Sequence, residues 1–78
     1  MNGMTYYTFP ITIEKEDGQY YAHSEDLPGV YGRGDSIEEA KASMLEGIRL
    51  YIEECKKDGK PIPVARTVYT ETVSIGVE

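Results

Sequence analysis

The sequence predicts an α+β fold of order β-β-β-α-β, with one helix packed on one face of a four-stranded sheet. Three patterns carry that prediction. Apolar residues alternate with polar ones near both ends of the chain, an Asp-Gly pair joins two strand-like runs, and a long amphipathic segment fills residues 37–58. The chain has 78 residues, one Cys, one His and no Trp. One Cys excludes an internal disulfide, and one His with one Cys cannot close a zinc site, so packing alone must supply the core. Residues 1–78 are expected to form a single domain with no C-terminal DNA-binding domain.

The first strand is read from Tyr7, Phe9, Ile11 and Ile13, which alternate with Thr8, Pro10, Thr12 and Glu14. Asp17-Gly18 then favours a type I′ turn, whose twist suits the strands it joins. That turn fixes a register in which Lys15 faces Tyr20, Ile13 faces Ala22 and Ile11 faces Ser24, with Glu14–Tyr21 and Thr12–His23 on the other face. Asp26-Leu27-Pro28-Gly29 follows, with Pro set for the first central position of a turn and Gly for the positive φ of the second. A short third strand, Val30 to Arg33, leaves that turn.

Ser36 and Glu39 form a capping box at the start of the helix, and Gly59 and Pro61 stop it. Glu38 and Glu39 in the first turn and Lys56 and Lys57 near the last suit the helix dipole. At 100° per residue, Gly47, Ala40, Tyr51, Met44, Ile37, Cys55, Ile48, Ile52 and Leu45 fall on one apolar arc, with Lys41 as the one intruder. Gly47 on that arc points to close approach between helix and sheet, since Gly there costs about 1 kcal/mol relative to Ala. Val73, Ile75 and Val77, alternating with Thr72, Ser74 and Gly76, are read as a fourth strand that a right-handed crossover would lay parallel to the first.

The formal charge is −6. It is uneven, with nine acids and three bases over residues 1–46 and five of each over residues 47–78. Nucleic-acid binding draws its affinity from Lys and Arg on phosphates, so direct binding of nucleic acid is not expected. An acidic half serves solubility or steers a basic partner. No apolar run approaches the roughly 20 residues of a membrane helix, and the N-terminus has neither a basic region nor an apolar block, so a reduced, cytoplasmic protein is expected.

Catalytic constellations are not found. His23 stands alone on a strand, and Cys55 lies on the apolar arc, where a thiol is inert. The inward positions of the first strand carry no acid and the helix acids diverge, unlike the converging carboxylates of a two-metal nuclease. Gly32-Arg33-Gly34 lacks the spacer and Lys of a phosphate loop. The seven Tyr lack the basic groove that a single-strand stacking platform needs. No enzyme, cofactor or metal is expected.

Gly18-Gln19-Tyr20-Tyr21-Ala22, Asp26-Leu27-Pro28-Gly29, Gly34-Asp35-Ser36-Ile37-Glu38-Glu39-Ala40 and Gly59-Lys60-Pro61-Ile62-Pro63 together resemble HicB-type antitoxins over nearly the whole chain. The resemblance implies a partial RNase H-like domain that masks a small basic toxin of the HicA type. Candidate contacts are Glu25, Asp26, Asp35, Glu38 and Glu46 for charge, and Tyr21, Tyr31 and Leu50 as apolar anchors. The alternative is a self-associating HicB-like domain of other role, because a four-stranded sheet has an open face and two edges that a homodimer or higher homo-oligomer would cover.

Overall fold

The structure, a computed structural model, describes residues 3–78. Met1 and Asn2, part of the N-terminus read above as lacking a secretory signal, lie outside the described residues.

Strand β1 (Thr12–Glu16) pairs antiparallel with β2 (Gln19–His23), which pairs antiparallel with β3 (Tyr31–Gly34), in the order β1-β2-β3. The turn chemistry sets the first register. Asp17 and Gly18 both take positive φ, 51° and 80°, as a type I′ turn requires. Ile13 then faces Ala22, Glu14 faces Tyr21, Lys15 faces Tyr20 and Thr12 faces His23, as the sequence pattern predicts. The ladder stops at Thr12, so the expected Ile11–Ser24 pair lies outside it. Residues 7–11 approach the sheet without joining it, although Phe9 and Ile11 still pack against the core.

Between β2 and β3 the chain makes two successive turns, with Leu27 N–H donating to the Ser24 carbonyl and Val30 N–H to the Leu27 carbonyl, each at 3.2 Å. Gly29 supplies the positive φ of the second turn. These turns drive Leu27 into the interior, where it is one of the two largest fully buried side chains; Met44 is the other.

Helix α1 (Ile37–Asp58) is capped as its sequence dictates. Ser36 Oγ accepts from Glu39 N–H at 3.1 Å, a cap worth about 1 kcal/mol. Glu39 reaches back one residue further than expected, its Oε1 accepting from Asp35 N–H at 3.1 Å. At the far end Gly59 N–H donates to the Lys56 carbonyl and Lys60 N–H to the Cys55 carbonyl, a Schellman closure around a left-handed Gly59.

The helix lies mainly over β3, less over β2 and least over β1. Two strand glycines make this possible. A Cβ on Gly32 would stand 2.4 Å from Met44 N and 2.7 Å from the Ala40 carbonyl oxygen, and one on Gly34 2.8 Å from Ala40 N. Gly47 is less tight, its hypothetical Cβ meeting Val30 Cγ1 at 3.3 Å. The closest approach therefore sits on β3, not at the helix glycine. Ala22, Leu27, Val30, Ala40 and Met44 form the buried core, with Phe9, Ile11, Ile13, Tyr20, Ile48 and Tyr51 packed around it.

Two expectations are corrected. Among the described residues the sheet has three strands, because residues 71–78 find no ladder partner there and alternation alone makes no hydrogen bonds; Val73 and Ile75 are 79% and 87% exposed. The apolar arc of the helix is consequently wider than the sheet beneath it, and Ile37 and Leu45 remain half exposed.

Gly32→Ala is expected to destabilise the fold by at least about 2 kcal/mol, lowering Tm by roughly 10 °C or more, because backbone would have to move. Gly47→Ala is expected to change stability by less than about 1 kcal/mol, since gained helix propensity offsets displacement of Val30. Thermal unfolding followed by circular dichroism checks both.

Candidate binding surface

Side chains on the helix-free face of the sheet alternate with those of the core. Glu14, Tyr21 and Arg33 form one row across the three strands, and Thr12, His23 and Tyr31 the next. His23 Nε2 and Glu14 Oε1 lie 3.0 Å apart, bridging the two rows. Tyr31 is well exposed at 70%, whereas Tyr21 is only just so at 37%. This face is open and mixed in charge.

The topology also gathers charge at one end of the sheet. The β1–β2 turn, the end of β3 and the start of α1 all lie there, bringing Glu16, Asp17, Asp35, Glu38 and Glu39 to the same pole. Gln19 Nε2 donates to Asp35 Oδ1 at 2.5 Å, tying the hairpin to the β3–α1 joint. Lys15, the cation of this end of the hairpin, lies over the Tyr20 ring, 5.4 Å from its centroid. Among the described residues no group of three or more His, Cys, Asp or Glu is arranged to hold a metal ion. The pole is therefore a diffuse negative surface, suited to long-range attraction of a basic body.

The eight candidate residues do not form one patch. Asp35 and Glu38 belong to the acidic pole, while Glu25 and Asp26 lie at the opposite end of the sheet, between β2 and β3. Tyr21 and Tyr31 sit on the open sheet face, and Glu46 and Leu50 on the solvent side of α1. Three of the candidate acids already have partners within the chain, Asp35 through Gln19 and two others more fully. Asp26 is half-buried, with Oδ1 accepting from Arg66 N–H at 3.0 Å and Oδ2 shielded without a partner among the described residues. Glu46 clasps Arg49 together with Glu53, whose Oε2 lies 2.5 Å from Arg49 Nη1. The hydrogen bond and charge of Glu46, then the charge of Glu53, raise the Arg49 pKa above its usual value. This stretch of helix thus neutralises itself. Glu16, Asp17 and Glu39 are not among the candidate residues, Asp17 and Glu39 being read only for turn and cap roles and Glu16 for none; the signal that places Glu16 and Asp17 beside the end of β3 is the hairpin register.

Two clefts border the segment after the helix. Tyr6–Phe9 face residues 62–65, 67 and 68 across one, and Glu25, Asp26, Val64, Arg66 and Thr67 line the other. Cys55 is buried on the core side of α1. A hydrogen bond with Cys55, ahead of burial, raises the Tyr51 pKa above its usual value. No helix among the described residues is long and apolar enough to cross a membrane.

Comparison with known proteins gives one consistent answer. Residues 9–74 match the family described as the HicB-like antitoxin of bacterial toxin–antitoxin systems. A UPF0150 protein of Synechocystis is 40% identical over 58 residues, covering 73% of each chain. A UPF0150 protein of Thermoplasma acidophilum is 42% identical over 57 residues, covering 73% of this chain and 81% of that one. The crystal structure of the N-terminal domain of the Burkholderia pseudomallei antitoxin HicB superposes with a TM-score of 0.65 at 30% identity, over 77% of this chain and 72% of that one.

The buried Cys55 is expected to resist thiol reagents in the folded protein and to react within minutes in denaturant, because only unfolding exposes its sulfur. Labelling with a chromogenic disulfide at pH 8 measures this; rapid labelling without denaturant would contradict the packing.

Proposed function

We propose that this chain, which belongs to the HicB-like antitoxin family of bacterial toxin–antitoxin systems, is a non-enzymatic domain that masks a small basic RNA-cleaving toxin of the HicA type. The observation that carries the reading is the acidic pole of Glu16, Asp17, Asp35, Glu38 and Glu39. A basic toxin must present cations where RNA phosphates would lie, and a surface of carboxylates without a metal-binding arrangement competes for that ground without reacting. Masking is then steric and electrostatic. It needs no operator binding by this domain and no cofactor, and the partial RNase H-like arrangement serves only as scaffold.

Charge alone would not suffice, since an exposed ion pair is worth only about 0–1 kcal/mol. Long-range attraction accelerates encounter, and affinity comes from aromatic anchors that exclude water. Tyr31 is the more exposed of the two candidates on the open sheet face, although Tyr21 lies one row nearer the pole. Glu25 lies at the far end and is expected to contribute little.

The reading expects a small basic protein encoded beside this chain, and the test is to co-express the two, then to measure affinity and RNA cleavage. Affinity is expected to fall about tenfold as ionic strength rises from about 0.05 to about 0.5 M. Neutralising Asp35 and Glu38 as D35N/E38Q should weaken binding by about three- to tenfold, mostly through slower association. Tyr31→Ala should cost roughly 2 kcal/mol through faster dissociation, and Glu25→Gln should leave binding unchanged. Failure to suppress cleavage, or salt-independent affinity, would contradict the proposal.

A further inference from the structure

Asp followed by Gly occurs twice in the chain, at Asp17–Gly18 and at Asp58–Gly59. In this dipeptide the aspartyl carboxyl is open to attack by the amide nitrogen of the next residue, because Gly places no Cβ beside that nitrogen. Both pairs are exposed, so access to water does not separate them. Their backbones do.

Asp58 is the last residue of α1, and Gly59 N–H is shared between the Cys55 and Lys56 carbonyls. Lys60 N–H then closes on the Cys55 carbonyl at 2.8 Å. The nitrogen that would attack Asp58 is held inside the helix cap, and turning it toward the carboxyl would undo the Schellman closure. Nothing comparable holds Gly18 at the hairpin tip. Its N–H has no acceptor among the described residues, and a Cβ built there would meet no atom within 4 Å. The Asp17 carboxylate likewise has no hydrogen bond or ion pair among the described residues. Asp17 stands at φ 51°, a left-handed backbone that costs an L residue energy even where Asp tolerates it. Only the Glu16–Gln19 pair at the base of the turn resists rotation about the Asp17 backbone. Loop tips of this kind open at the least cost in free energy.

We propose that Asp17–Gly18 is a self-modifying site, at which the Gly18 nitrogen closes on Asp17 Cγ and the chain rearranges to isoaspartate, whereas the helix cap keeps Asp58–Gly59 intact. In the first step the N–Cγ bond forms, and one carboxyl oxygen leaves as water with the amide proton and the carboxyl proton. The product is a five-membered imide. One water then adds. Addition at Cγ breaks the new bond and restores aspartate. Addition at the main-chain carbonyl carbon of Asp17 breaks the original peptide bond, so the chain runs through Cβ and Cγ and the α-carboxyl hangs free. One water is lost and one regained, no electrons are transferred, and the mass is unchanged.

The two-residue type I′ turn has no room for an extra main-chain carbon, so Glu16 and Gln19 lose their register. Gln19 also ties the hairpin to Asp35, and Asp17 belongs to the acidic pole, so conversion loosens the pole at both points. Toxin masking does not require this chemistry, and neither result decides the other.

The test is to age the full chain at neutral pH and physiological temperature, folded and in denaturant, in water enriched in the heavy oxygen isotope. Fragmentation mass spectrometry locates the heavy oxygen and the isoaspartate, and methyl transfer from S-adenosylmethionine by an isoaspartyl carboxyl methyltransferase counts the product. In the folded chain, conversion at residue 17 is expected to exceed that at residue 58 by at least about tenfold, the factor that breaking one or two hydrogen bonds places on a rate. In denaturant the difference should disappear. Asp17→Glu, which would need a less favoured six-membered ring, should abolish the signal at residue 17 and leave residue 58 as it was. Amide exchange at Gln19 should be faster in the converted chain. Equal conversion at the two sites of the folded chain would overturn the proposal. So would conversion at residue 17 seen only in denaturant, or a converted hairpin whose Gln19 amide stays protected.

Discussion

The approach of α1 to β3 is the constraint on which the rest of this structure depends. Gly32 and Gly34 remove the side chains that would hold the helix away, so that Ala40 and Met44 meet strand backbone directly. Such contact is efficient for a chain of 78 residues, because small residues at the interface let the layers close without a large core. It also biases the helix toward one side of the sheet. With the helix over β3 and barely over β1, Leu27 and Met44 fill the centre, and the flank beyond Ile13 is left uncovered.

The candidate surfaces follow from the same placement. The helix N-terminus comes to lie at the end of the sheet where the β1–β2 turn also sits, so five acids from two separate stretches of sequence, 16–17 and 35–39, share a pole. The solvent side of the helix, which composition makes appear equally charged, spends Glu46 and Glu53 on Arg49. Asp26 is drawn inward to hold the segment after the helix. Within the pole itself Asp35 already accepts from Gln19 Nε2 and Glu39 from Asp35 N–H, so Glu16, Asp17 and Glu38 are the carboxylates with no hydrogen bond or ion pair among the described residues.

Local features were legible in the sequence because local chemistry decides them. Asp17-Gly18 dictated the turn and with it the register of four residue pairs, Ser36 and Gly59 bounded the helix, and Pro28-Gly29 marked the second turn. Long-range features were not. The alternation of Val73, Ile75 and Val77 encodes a strand's preference but names no partner, and it finds none among the described residues. Leu27 looked like one residue of a turn, yet it anchors the core, because two consecutive turns aim it inward. Gly32 and Gly34 were read for the phosphate loop they do not form, whereas their use is to admit a helix. Of the eight candidate residues only Asp35 and Glu38 belong to the pole, since Glu16 and Asp17 are brought there by hairpin register rather than by sequence neighbourhood.

The seat of the helix on β3 is tested most directly by nuclear Overhauser contacts in solution. The account predicts strong cross-peaks between the α protons of Gly32 and the backbone and side-chain protons of Ala40 and Met44. Their absence, with Gly32 contacting only its neighbours on β2, would show that the helix does not rest on the glycine strand, and the acidic pole and the uncovered β1 flank would lose their basis together.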